Sequence, residues 1–183
     1  MQTYIALFRG INVGGNNILP MRNLVELLEA LGLRFVKTYI QSGNAVFQSE
    51  TSNAAELEQQ ISTTIGQHFG FSPQVLLLTI TAFQDVIAAN PFPSGENEPK
   101  SLHLYFLDSA PENPDLEMLK NLKANDEQFE LLGNVFYLYA SAGIGRSKLA
   151  NKVEKALGVR ATARNWRSVS KIHVLATETA QLS

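Results

Sequence analysis

The succession of sequence periods restricts this chain to a small set of folds. Tyr4–Phe8 is a short continuous apolar run, the pattern of a strand buried on both faces. Leu24, Leu27, Leu28 and Leu31 follow at i, i+3, i+4, i+7, which predicts a helix from Pro20 to Leu31, with proline in its first turn and Gly32 past its end. Phe35–Ile40 and Ala45–Phe47 are strand-like runs around Gln41-Ser42-Gly43-Asn44, where Gly-Asn predicts a hairpin turn because glycine supplies the positive φ such turns need. Asn53 and Glu56 have capping-box spacing for a helix carrying Leu57, Ile61 and Ile65 and ending near Gly70. Val75–Leu78 is a further strand, and Thr81 with Gln84 caps a short helix ending near Asn90. The order through this half is βαββαβ, the split-βαβ or ferredoxin-like arrangement.

Residues 91–100, with prolines at 91, 93 and 99, read as a linker, since such a segment continues neither a helix nor a central strand. The pattern then returns. Leu102, Leu104 and Phe106 alternate as a strand, and Asn113-Pro114 opens a helix through Leu116, Leu119 and Leu122. Phe129–Leu132 and Val135–Tyr139 flank a second Gly-Asn turn at Gly133-Asn134. Ser147 caps a helix with Leu149, Val153, Ala156 and Leu157, closed by Gly158, and a strand near Val159–Thr162 precedes a last helix from about Arg164 to Ala176. Gly43-Asn44-Ala45-Val46-Phe47 echoes Gly133-Asn134-Val135-Phe136-Tyr137. The expected fold is therefore α+β, a tandem duplication of ferredoxin-like (βαββαβ) units. Residues 1–90 form the first unit with its short helix, and residues 101–183 form the second with the C-terminal helix.

Composition narrows the function classes. With no cysteine among 183 residues, thiol nucleophiles, disulfides and thiolate metal sites are excluded, and a reducing cytoplasm is the expected location. No apolar run reaches the length of a membrane span or a signal-peptide core. The net charge of −2 hides an asymmetry. Residues 1–145 hold seven Lys and Arg against fifteen Asp and Glu, whereas residues 146–173 hold eight Lys and Arg against Glu154 alone. An acidic body with a basic end points to a polyanionic partner, or to a basic surface paired with the protein's own acidic half.

Two glycine-containing loops are the candidate sites. Arg9-Gly10-Ile11-Asn12-Val13-Gly14-Gly15 links a strand to a helix, where converging backbone N–H groups can hold an anion beside the Arg9 charge. A structural turn explains Gly14 and Gly15 equally well. Gly143-Ile144-Gly145-Arg146-Ser147-Lys148 places a hydroxyl and two cations before another helix, with an ordinary N-cap as the plainer reading. Neither loop matches G-x-G-x-x-G or the Walker A pattern, so no cofactor is implied. Lys148, Lys152 and Lys155, and separately Arg164, Arg167 and Lys171, fall at helical spacing and predict two basic stripes. Asn165 and Trp166 lie within the second, with Trp166 expected as a buried or half-buried anchor and base stacking as the alternative. In the hairpin turn, Gln41 and Ser42 are not explained by turn chemistry alone. His68, His103 and His173 are isolated, so no metal site is expected, and no catalytic motif stands out.

Tyr4–Gly15 with Pro20-Met21, Thr38-Tyr39-Ile40-Gln41-Ser42-Gly43-Asn44, and the closing Ser147-Lys148-Leu149, Glu154-Lys155, Leu157-Gly158 and Thr162–Val169 resemble the bacterial domain-of-unknown-function family numbered 1697. Ser168 stands where that family commonly has Thr, which keeps the hydroxyl. The resemblance implies a compact α+β cytoplasmic protein of ferredoxin-like character and carries over no catalytic residue. The functional expectation is a non-enzymatic binder of a phosphorylated ligand or nucleic acid. The alternatives are an enzyme acting on a small anionic substrate between the halves, positioned by Arg9, Asn12, Gln41 and Ser42, and a protein-interaction module.

Overall fold

The computed structural model describes residues 1–182. The first half runs β1 (Gln2–Arg9), α1 (Met21–Ala30), β2 (Arg34–Thr38), β3 (Asn44–Ser49), α2 (Ala54–Phe69), β4 (Gln74–Thr79) and α3 (Ile80–Ala88). Its strands form one antiparallel sheet in the order β2-β3-β1-β4. β1 is internal and buried from Thr3 to Phe8, which accounts for its unbroken apolar text. Tyr4, Ala6, Phe8, Phe47, Val75 and Leu77 share one face and pack with Leu24, Leu27 and Leu28 of α1 and Leu57, Ile61 and Ile65 of α2. Each buried leucine contributes about 1.5–3 kcal/mol. Asn53 caps α2 by accepting the Glu56 N–H at 3.3 Å, and Gly70 ends it in the left-handed conformation.

The second half repeats the order as β5 (Leu102–Leu107), α4 (Leu116–Leu122), β6 (Glu127–Leu132), β7 (Val135–Ala140), α5 (Val153–Leu157), β8 (Ala161–Asn165) and α6 (Trp166–Ala180), with an antiparallel sheet ordered β6-β7-β5-β8. Tyr105, Leu107, Phe136 and Leu138 pack with Leu119 of α4 and Val153, Ala156 and Leu157 of α5. The two units are similar down to single bonds. Phe8 N–H donates to the Gly43 carbonyl at 2.9 Å, and Leu107 N–H donates to the Asn134 carbonyl at 2.9 Å. β4 runs straight into α3 where Thr79 Oγ1 accepts the Ala82 N–H at 3.1 Å, and β8 runs straight into α6 where Asn165 Oδ1 accepts the Ser168 N–H at 2.9 Å.

Several expected details are redrawn. Residues 91–100 carry local structure. Pro93–Glu96 form a single 3-10 turn, Phe92 stacks on Tyr139 at 6.3 Å, and the Tyr139 hydroxyl donates to Glu98 at 3.2 Å. Gly95 is required there, because a Cβ would lie 2.9 Å from that of Leu102. Contacts divide the described residues into one unit of Met1–Asp85 with residues 170–182, and another of Val86–Val169. The end of the C-terminal helix thus sits with the first unit rather than the second. Gln48 Nε2 donates to the Thr179 and Leu182 carbonyls at 2.8 and 2.7 Å, and Lys37 pairs with Glu178 at 3.2 Å. Helical periodicity marks which face of α6 is apolar and not which sheet it covers. The cap of α3 is Thr79 rather than Thr81, since the helix starts two residues earlier than its text suggests. Asn44 is no turn residue either; it begins β3, is buried, and donates from Nδ2 to the Tyr39 carbonyl at 2.9 Å.

Candidate functional site

The loop after β1 is held by its own asparagines. Asn12, at φ +54°, accepts the Leu19 N–H on Oδ1 at 2.8 Å and donates from Nδ2 to the Leu19 carbonyl at 2.9 Å. The same Nδ2 donates to the Gln41 carbonyl at 2.8 Å, which ties this loop to the one between β2 and β3. Asn17, at φ +51°, donates to the Gly10 carbonyl at 2.9 Å, and Asn12 N–H donates to the Asn17 carbonyl at 3.0 Å. Gly43 completes the joint, because a Cβ there would lie 2.6 Å from Ile11 Cδ1 and 2.7 Å from Phe8 Cβ. Asn12 is thereby committed to structure. Gly14, Gly15, Gln41 and Ser42 are exposed, and Arg9 is partly buried at the end of β1. Between Gly10 and Met21, and again between Thr38 and Gln48, there is no charged residue. Val13, Ile18 and Ile40 stand 64, 55 and 49% exposed on these two loops. Ile40 holds φ +50°, a conformation strained for a β-branched residue by about 1–3 kcal/mol.

The second loop lines a cavity. A pocket of about 710 Å³ in the second unit is lined by Gly143, Gly145, Arg146, Ser147 and Lys148 and also by Asp126 and Glu127, at the start of β6. The expected Ser147 helix is broken here. Ser147 Oγ accepts the Ala150 N–H at 2.9 Å, but only a single 3-10 turn at Ala150–Lys152 and the five-residue α5 follow. Lys148, Lys152 and Lys155 are exposed without forming one continuous α-helical stripe. Arg146 and Lys148 make no ion pair with any described residue. Asp126 Oδ2 accepts the Ala142 N–H at 3.2 Å, and Glu127, 3% exposed, accepts the Ala124 N–H at 2.9 Å. Burial, with the Glu127 and Glu154 charges, pushes the Tyr105 hydroxyl up to about 12. Neither carboxylate was singled out by its sequence; Asn125-Asp126-Glu127 belongs to no motif, and only the fold sets it against Arg146 and Lys148.

The remaining predicted residues serve the β8–α6 junction. Asn165 caps α6, Trp166 is buried at its start, and Arg167 is exposed. Arg164 is in β8 opposite Leu104; burial lowers its guanidinium to about 10, and one of its nitrogens donates to the Ala163 carbonyl at 2.8 Å. The basic stripe Arg164, Arg167, Lys171 is therefore not one helical face, because Arg164 precedes the helix. His103, buried in β5, has its pKa lowered by desolvation, which outweighs a bond with the Ser101 backbone. Among the described residues no group of three or more His, Cys, Asp and Glu could hold a metal ion, and no helix is long and apolar enough to cross a membrane.

Comparison with known proteins adds a family and a fold. A family model described as "Protein of unknown function (DUF1697)" matches residues 1–137. Among solved structures, the chain is similar to the conserved bacterial protein SP0830 from Streptococcus pneumoniae, at 27% identity and a TM-score of 0.71, over 96% of this chain and 98% of that one. No curated protein matches.

Proposed function

The chain belongs to the DUF1697 family of proteins of unknown function, and we propose from its geometry that it is a non-enzymatic binder of a small phosphorylated ligand, held in the pocket of the second unit. One observation carries the reading: Arg146 and Lys148, on a loop with Gly143 and Gly145, line a single cavity while pairing with no described carboxylate. About 710 Å³ falls within the ~300–1,000 Å³ usual for small-molecule sites. Two cations, one planar and one a point charge, suit a phosphate. Titration of 15N-labelled protein with inorganic phosphate tests it. The Gly143 and Gly145 amides should shift saturably, and Arg146→Gln with Lys148→Gln should weaken binding by about tenfold or more. Amides in this loop that neither inorganic phosphate nor a phosphate monoester moves refute the proposal. The nucleic-acid form of the reading rests on exposed Lys148, Lys152 and Lys155, and requires binding that falls steeply as salt rises.

The strand orders β2-β3-β1-β4 and β6-β7-β5-β8, all antiparallel, support reading each unit as ferredoxin-like and the pair as a tandem duplication. The absence of cysteine supports a cytoplasmic location. A second reading, a protein-interaction module, is favoured by exposed Val13, Ile18 and Ile40 on two uncharged loops that are tied together before any partner arrives.

A further inference from the structure

The same pocket carries charge of both signs. Arg146 and Lys148 belong to the loop after β7, whereas Asp126 immediately precedes β6 and Glu127 begins it. These groups line one cavity, yet no ion pair joins them. The carboxylate of Asp126 is held in place by the Ala142 N–H at 3.2 Å, on the segment that leads into Gly143. Glu127 is buried and fixed by the Ala124 N–H at 2.9 Å, so neither can swing away from an incoming ligand without losing a backbone bond. A bare phosphate drawn to Arg146 and Lys148 would share the cavity with two fixed negative charges, a like-charge arrangement that weakens its binding.

Building on the phosphate reading above, we infer that the pocket takes a zwitterionic ligand, a phosphorylated amine, with its phosphate on Arg146 and Lys148 and its ammonium toward Asp126. A ligand of this class offers each of these charged groups the opposite sign. It replaces the like-charge contact by a charge-assisted hydrogen bond to an acceptor already oriented by the backbone. Asp126 rather than Glu127 is the specificity-determining residue, because Asp126 is exposed and Glu127 is almost wholly enclosed.

O-phosphoethanolamine and n-propyl phosphate are the test pair, equal in length and differing in ammonium against methyl. Both are titrated into 15N-labelled wild type, Asp126→Asn, and the Arg146→Gln, Lys148→Gln double variant, following Gly143 and Gly145. The wild type should bind O-phosphoethanolamine about two- to fivefold more tightly, the range expected of an exposed ion pair. Asp126→Asn keeps an oxygen for the Ala142 N–H and should erase that preference. The double variant should bind both ligands about tenfold or more weakly. Equal affinity for the two phosphates, or tighter binding of n-propyl phosphate, overturns the zwitterion inference and leaves the phosphate reading standing. A preference that survives in Asp126→Asn overturns it as well. If neither phosphate binds wild type, the phosphate reading itself fails. The wild-type comparison decides the matter even if Asp126→Asn disturbs the loop.

Discussion

Replacing Asn12 separates the structural role of the first glycine loop from any ligand role. The side chain makes three hydrogen bonds between 2.8 and 2.9 Å, two to the backbone of buried Leu19 and one to Gln41. At about 1 kcal/mol net each, they contribute about 3 kcal/mol. Asn12 also sits at φ +54°, where alanine is worse than asparagine or glycine by about 1 kcal/mol. Asn12→Ala should therefore destabilise by about 4 kcal/mol, and Asn12→Gly by about 3 kcal/mol, since glycine loses the bonds and keeps the backbone. For a chain of this length that lowers Tm by roughly 10 °C. Urea unfolding followed by far-UV circular dichroism measures both variants, and hydrogen exchange at the Leu19 amide reports the lost acceptor directly. If Asn12→Ala stays within about 1 kcal/mol of wild type, the loops are not held by this side chain. If Asn12→Gly is no more stable than Asn12→Ala, the positive φ is not part of the cost.

Gly43→Ala should destabilise by about 2–4 kcal/mol in the same urea experiment, because its Cβ would meet Ile11 and Phe8 in the core at under 3 Å and its φ is +84°; a neutral result would mean that the β2–β3 loop adapts freely. Burial holds His103 below its ordinary value of 6.5, so the unfolded chain takes up a proton there before the folded one does. Its share of stability is full above pH 6.5 and is lost as pH falls from there toward the folded pKa, so thermal melts should drop over that window and His103→Gln should flatten the slope.

The elements themselves were legible because each depends on short-range pattern. The α1 leucines, the Asn53 cap and the βαββαβ order could be read without knowing what packs on what. Positions that depend on packing could not. Gly95 amid three prolines looks like linker text, and only the approach of Leu102 and Tyr139 explains it. The repeated Gly-Asn text was misleading for the same reason. In the structure Phe8 bonds to the Gly43 carbonyl and Leu107 to that of Asn134, so Gly43 corresponds to Asn134 and not to Gly133. The textual echo is out of structural register by one residue, which in a strand exchanges the two faces. A loop of five residues, Tyr39–Gly43, joins the first pair of strands where two, Gly133-Asn134, join the second.

That register also separates the two glycine loops. β1 corresponds to β5 and β3 to β7, so the Arg9–Gly15 loop has its counterpart between β5 and α4, not at Gly143–Lys148. The Gly143–Lys148 loop follows β7, whose counterpart β3 runs antiparallel to β1 and ends at the opposite end of its sheet. The resemblance between the loops is therefore one of composition and not of position in the topology. Where the counterpart of the first loop stands, the second unit carries an Arg160–Asp108 pair at 3.2 Å and no glycine. Where the counterpart of the second loop stands, the first unit has the turn that leads into the Asn53 cap. The units thus differ at opposite ends of the same topology: the first carries two tied loops with Val13, Ile18 and Ile40 exposed, the second a pocket lined by charges of both signs. Arg146→Gln with Lys148→Gln changes only the second of these, and Asn12→Ala only the first, so loss of phosphate binding in Asn12→Ala would contradict the division.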